Sequence, residues 1–406
     1  MIWANAVSLV NAQVAIGDRI ADSLRFSSRV LSIGDRPKRG DTVLDLQGAF
    51  VLPGLVNAHD HLELNHYGRI KGRDRYDNAS GWIGDMAKRI SSDTAIRAGR
   101  AHPLIERLFI GGLKNLLAGV TTVAHHNPFY AEMRRTMPIR VVRRYGWAHS
   151  FLLETAACGA RGEPGGNVAD RWRATSPAAP FFVHLAEGVD DVARGELPRL
   201  ESIGCLKPNT VLVHGVAIDE NGWRRVARMG AGLVWCPASN AFLFGETAQV
   251  DTLIGGSHDA RVTVALGTDS RVTGSRDLLD ELREARAARS LAPHLLLAMV
   301  TSEAAKLLRQ PRAGRLTMGS PADLVVIPPL AGEPGAALLD ATRRDVRLVV
   351  VDGRPLVGDP EFAAVFKARR TTARPLRVDA VPKLGDSGLV RRIAGCPIAE
   401  PGVSVA

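Results

Sequence analysis

Short apolar, β-branched runs recur along the chain, and several of them stop on a histidine or an aspartate. Phe50-Val51-Leu52-Pro53-Gly54-Leu55-Val56 leads into Asn57-Ala58-His59-Asp60-His61. Phe181-Phe182-Val183 leads into His184, Val211-Leu212-Val213 into His214, and Val262-Thr263-Val264-Ala265-Leu266 into Gly267-Thr268-Asp269. Such runs read as strands. Helical stretches separate them at 101–117, 188–203, 221–229, 276–289 and 302–308. Strands alternating with helices over 51–312 predict an α/β protein, a (β/α)8 TIM-like barrel. Parallel barrel strands deliver their end residues to one face. Seven strand starts are legible, at Phe50, Val120, Ile139, Phe181, Val211, Gly232 and Val262. The gap between Phe151 and Pro180 is short for a full strand–helix unit. Either the eighth strand is abbreviated, near Leu152–Ala156, or the barrel is distorted there.

The two ends of the chain have a different texture. Residues 2–50 hold short runs such as Val7–Val10 and Val30–Ile33, punctuated by Ile16-Gly17-Asp18 and Ile33-Gly34-Asp35. This is turn chemistry between short antiparallel strands. Ala322–Ile327 and Arg347–Gly353 repeat it, the second ending in an Asp-Gly turn signal. We therefore expect residues 1–50 and 313–365 to build one small β-sandwich beside the barrel at 51–312. Residues 366–406 show no pattern and are expected to be a C-terminal extension.

Composition narrows the setting. The 406 residues are 46% hydrophobic, ordinary for a globular protein. No apolar run approaches the roughly 20 residues that span a bilayer. No basic segment precedes the first apolar stretch, which Asp18 and Arg19 interrupt, so no signal peptide is expected. The four cysteines are scattered without a C-x-x-C pair, which argues against a disulfide framework and for a reducing, cytoplasmic setting. The net charge of +10 comes from dispersed arginines, and aromatics are only 5%. A nucleic-acid surface concentrates its charge, so a solvated basic surface is expected, with neither nucleic acid nor membrane as partner.

The candidate chemistry lies at the strand ends. His59 and His61 are two apart, so both imidazoles point to one side of a strand. An H-x-H alone is weak evidence. His184, His214 and Asp269, each closing a run in the same order along a barrel, strengthen it, and Glu187 follows where the chain turns over the mouth.

Taken together, Pro53–His61, Gly119-Val120-Thr121-Thr122-Val123, His184-x-x-Glu187, His214, Cys236-Pro237-Ala238-Ser239-Asn240, Gly267-Thr268-Asp269-Ser270 and Gly314-Arg315-Leu316…Gly319–Leu324 resemble the amidohydrolase superfamily. The resemblance is to the branch that holds cytosine and guanine deaminases and triazine hydrolases, and it covers about residues 45–330. It implies that His59, His61, His184 and Asp269 hold one divalent metal ion, zinc first and iron second. It implies acid/base and orienting roles for Glu187 and His214, with Asp269 also taking a proton from water. Such an ion lowers the pKa of water to about 7. Binuclear relatives bridge two metals with a carboxylated lysine. No lysine occurs from Asn115 through Leu206, so a mononuclear site is expected.

The expected activity is hydrolytic deamination of an amino-substituted purine, pyrimidine or triazine, a small-molecule substrate. Hydrolysis of an amide, cyclic imide or aryl halide at the same metal stays open, as does a non-catalytic scaffold. Asp60 should point away from the ligands. Candidate substrate contacts are His66, Arg69, His125, His149 and Asn240, with Trp82 in the covering loop. His102, His258 and His294 are expected to be inert. Members of the family are often dimers or larger, so a homo-oligomer is the state the resemblance implies.

Overall fold

The computed structural model of the chain describes residues 5–158, 160–254 and 261–405; His258 lies outside them. The protein is α/β. Among the described residues, eight parallel strands carry the site: β1 (Leu55–Asp60), β2 (Val120–His125), β3 (Arg140–Val141), β4 (Gly146–Trp147), β5 (Phe181–Leu185), β6 (Thr210–His214), β7 (Gly232–Trp235) and β8 (Thr263–Leu266). They form two sheets, ordered β3-β2-β1 and β4-β5-β6-β7-β8. A parallel bridge between Asp60 and Asp269 joins the end of β1 to the end of β8. No pairing joins β3 to β4 among the described residues.

Two strand expectations change. The run from Phe50 is two strands, broken at Gly54. Phe50–Pro53 pairs antiparallel with Leu324–Ile327, and only Leu55–Asp60 pairs with β2. Gly54 donates its N–H to the Asp323 carbonyl, which holds the chain at the crossing between the sheets. The additional parallel strand is Gly146–Trp147 and not 152–156, since Phe151–Leu153 is a 3-10 turn. Two residues leave too little pattern to read.

Strand alternation sorts the side chains. Val56, Ala58, Ala124, Phe182, Val211, Val213, Val234 and Ala265 pack together inside. Leu55, Val123, Val183, Leu212 and Leu266 face outward into the larger core shared with the helices. Three of these helices enclose the first loop: α1 (Ala79–Ser92), α2 (Thr94–Ala101) and α3 (Leu104–Leu117). Asn78 caps α1 and Asp93 caps α2, each accepting from the first free N–H groups.

The chain ends supply two further sheets. One holds Val7–Val10, Leu24–Phe26, Val30–Ile33 and Thr42–Asp45; the other has nine strands and includes Phe50–Pro53, Leu324–Ile327 and Leu348–Val351. Their facing residues, among them Val7, Phe26, Val51, Leu324 and Val350, share one core. The patternless C-terminal segment belongs to the larger sheet through Ala373–Val378, Val381–Asp386 and Val403–Val405.

A buried ion cluster ties this tail to the site. Glu400 accepts from Arg271 at 2.6 and 2.9 Å and from Arg343 at 2.6 Å. Removing one member of a buried charge group leaves the others uncompensated. Glu400→Gln should therefore lower stability by about 3–5 kcal/mol, read from the urea unfolding midpoint. An unshifted midpoint would mean that the tail carries no load.

Candidate metal centre

β1 and β5 deliver the first three side chains. One nitrogen each of His59, His61 and His184 lie within 4.8 Å of one another, all buried. His61 Nε2 and His184 Nε2 face each other at 3.3 Å. The Nδ1 of His184 donates to the His149 carbonyl at 2.9 Å. A carbonyl only accepts, so this bond fixes the tautomer and leaves the Nε2 lone pair facing His61.

Asp269 completes the cluster from beyond β8. Its Oδ1 is 3.7 Å from His59 Nε2 and 3.5 Å from His61 Nε2, too far for hydrogen bonds but close enough for attraction. Its Oδ2 accepts from Ser239 Oγ at 2.8 Å and Thr273 Oγ1 at 2.6 Å. One oxygen is thus anchored and the other is presented to the imidazoles. Glycine is required two residues earlier: a Cβ on Gly267 would lie 2.6 Å from His59 Cβ.

Electrostatics favour a cation here. Burial lowers the pKa of His59, and it puts His184 well below the ordinary value with help from His126, His149, His59 and His61. Burial alone would raise Asp269, but the neighbouring His59, His61 and His214 prevail and hold it below the usual carboxylate range. Neutral imidazoles and one carboxylate form a donor set suited to zinc or iron. Both nitrogens of His59 are buried without a hydrogen-bond partner. A buried polar atom left unpaired is costly and needs a reason. The residues present fit a divalent ion.

Glu187 and His214 stand together beside this cluster, with His214 Nε2 3.5 Å from Glu187 Oε1. Burial pushes Glu187 well above the usual carboxyl range, and Asp269 and Glu196 add to it. Alternation along β6 would turn His214 outward after Val213. Its backbone instead adopts φ +74°, a left-handed conformation that costs about 1–3 kcal/mol, and the ring lies 5.4 Å from that of His184. Asn240 Oδ1 accepts from His214 Nδ1 at 2.7 Å, while Asn240 Nδ2 donates to Thr247 Oγ1. His214 Nε2 is therefore an acceptor facing Glu187.

The remaining candidates are distributed differently. His149 abuts the cluster, its ring 4.6 Å from His184. Asn240 sits wholly buried behind His214 and positions it. His125 is packed away against Glu63, 3.7 Å from Oε2. His126 instead stacks on His184 at 4.1 Å. Alternation from the inward Ala124 points to residue 126, and that was the available signal. His66 bonds the Gly99 carbonyl and Arg69 the Gly274 carbonyl, and both line a separate surface cavity.

Sequence reasoning missed Lys114. It is fully buried on α3 and donates to Asp60, Asn65 and Thr268 at 3.2, 2.8 and 3.0 Å. Asp60 does point away from the ligands, into this knot, where Asn115 and Asn65 also donate to it. The knot fixes β1 against the end of β8, and so His59 and His61 against Asp269.

The arrangement, strand-end imidazoles and a carboxylate around one point with a second acid beside them, is that of a metal-assisted hydrolase. Residues 179–356 match the amidohydrolase family, and the chain belongs to that family. It is 30% identical over 402 residues to the 5-methylthioadenosine/S-adenosylhomocysteine deaminase of Natronomonas pharaonis, covering 86% of this chain and 90% of that protein. The corresponding deaminase of Halobacterium salinarum is 28% identical over 399 residues, covering 86% of this chain and 90% of that protein. Among solved structures, the triazine hydrolase of Arthrobacter aurescens superposes with a TM-score of 0.70 at 21% identity, over 87% of this chain and 95% of that one. A zinc-bound adenosine deaminase of Xanthomonas campestris gives 0.65 at 18%, over 90% and 97%.

Proposed function

We propose that the protein is a mononuclear metal-dependent hydrolase that deaminates an amino-substituted nitrogen heterocycle. The observation that carries this reading is the convergence of His59, His61, His184 and Asp269 beside the protonatable Glu187. These four residues would hold the ion, zinc in the first instance, as in the adenosine deaminase of similar fold. When bound, the ion supplies Lewis-acid polarisation and makes water acidic.

The chain's own groups do the rest. Asp269, anchored through Oδ2, offers Oδ1 as the acceptor for a proton from the attacking water. Glu187 is raised by burial, so it enters carrying a proton that it gives to the ring nitrogen and returns to the departing amine. His214 has its Nδ1 hydrogen committed to Asn240, so its Nε2 accepts from water and orients it. His126 and His149 pack the ligands from one side and exclude solvent.

The two parallel sheets then form one distorted barrel, and the terminal sheets, with residues 1–50 and 313–365, one sandwich beside 51–312. No helix among the described residues is long and apolar enough to cross a membrane, and we place the protein in the cytoplasm.

The test is ammonia release from purines, pyrimidines and triazines, with one metal ion per chain on elemental analysis. Dialysis against a chelator should abolish release, and zinc or iron should restore it. A second reading, hydrolysis of an amide, cyclic imide or aryl halide, uses the same groups. The fold likeness to the atrazine chlorohydrolase of Arthrobacter aurescens, TM-score 0.69 at 20% identity, keeps it in view. Turnover of an amide or a halide without ammonia from any heterocycle would replace the deaminase reading. A chain that neither holds nor can be loaded with metal would point to a scaffold.

A further inference from the structure

Next to the imidazole cluster is a cavity of about 440 Å3 whose wall includes His149. Trp82, Ile83, Met86 and Ile90 line it from α1. Their spacing puts them on one face of the helix. All four are only half-buried, so an apolar helix face is turned to open space next to the reaction centre instead of into the core. A patch of this kind is a mark of a binding surface.

Arg107 of α3 also lines the cavity. It is only 8% exposed. Its Nε has no hydrogen-bond partner, and no carboxylate lies within ion-pair distance of the guanidinium among the described residues. Glu63, the acid in whose field it lies, accepts from Asn127 through Oε1 instead. Guanidinium carries five N–H donors and matches a carboxylate in two-point contact. Burying such a group without a counter-charge is costly. The charge is explained if a ligand brings the anion.

We propose that the molecule processed at the imidazole cluster carries an apolar substituent ending in a carboxylate, the apolar part lying on the α1 face and the carboxylate on Arg107. The reacting heterocycle at the other end rests on the deaminase reading; the substituent pocket itself does not. Most purines, pyrimidines and triazines without such a substituent would leave both the apolar face and Arg107 unmet. They would be turned over with a high KM.

The test is binding without turnover, on the metal-loaded full chain. Calorimetry compares 4-phenylbutyrate with 4-phenylbutanol, which has the same apolar skeleton and no charge. The carboxylate should bind about tenfold tighter or better, as expected for a charge-assisted pair. Arg107→Gln should bring the two to parity and leave 4-phenylbutanol within about twofold, and Arg107→Lys should restore part of the preference. Trp82→Ala should weaken both compounds alike. Equal affinities in the unmodified protein would overturn the proposal, and that comparison needs no variant to fold. A preference that survives Arg107→Gln would place the carboxylate on the metal and also overturn it. Ammonia release with no carboxylate preference would leave the deaminase reading standing and remove this one. The expected binding pattern with no ammonia from any heterocycle would do the reverse.

Discussion

His184→Ala is expected to empty the metal site and to lower turnover by more than about 100-fold. Loss of a residue that merely orients a ligand typically costs about 10–100-fold in metal affinity or activity, so losing a ligand must exceed that. His184 is the most constrained member of the cluster. Its Nδ1 is spent on the His149 carbonyl, its ring is stacked on His126, and its Nε2 is aimed at His61 Nε2. Water filling the vacated space can pair with His61 but supplies no equivalent donor fixed by a tautomer. Elemental analysis of the purified variant should find well under one ion per chain, and added zinc should restore little activity. His126→Phe is the control, since it keeps a ring against His184 and removes no donor; it should retain its metal. A fully loaded His184→Ala protein would remove His184 from the ligand set and with it the mononuclear geometry.

Much of this was readable from the sequence because strand ends are marked twice. An apolar run predicts the strand, and the polar residue that closes it has few other reasons to be there. His59, His61, His184 and Asp269 were legible in that way, and the structure gathers them. Three features were not. β4 is two residues long, and no pattern can be read from two positions. The orientation of His214 depends on a left-handed backbone at the end of β6, which period-two alternation does not foresee. Lys114 lies in a helix whose other positions are apolar, and only its tertiary neighbours Asp60, Asn65 and Thr268 explain a buried ammonium there. The choice of His125 over His126 failed differently. Two adjacent histidines point to opposite sides, and only the inward face of Ala124 tells which one reaches the site. The loop candidates His66 and Arg69 were named for their position in the covering loop. A loop's path is set by the backbone carbonyls it finds, here Gly99 and Gly274.

Glu187→Gln should lower kcat by about 10²–10⁴-fold, the usual worth of a positioned acid or base, while leaving metal content and KM little changed. Glutamine keeps the size of the side chain and can still hydrogen-bond, but it cannot hand over a proton. The position is prepared for proton transfer. Ala186 turns the chain with φ +52° immediately before it, and the Ala186 N–H is held by Glu196 at 2.6 Å. Burial, with Asp269 and Glu196 nearby, keeps the Glu187 carboxyl protonated well above the usual range. His214 Nε2, stripped of its hydrogen by the bond to Asn240, faces it as an acceptor at 3.5 Å. A carboxyl in that setting gives up its proton readily to a ring nitrogen of similar basicity and recovers it from the attacking water. The split between kcat and KM is the decisive readout. A fall in kcat with the ion retained assigns proton transfer to Glu187. A rise in KM alone would make it a substrate contact, and a loss of metal would make it a prop for His184, three residues earlier. Turnover within tenfold of the unmodified enzyme would move the acid role elsewhere, and Asp269, whose Oδ1 faces the same space, would then have to serve both proton transfers.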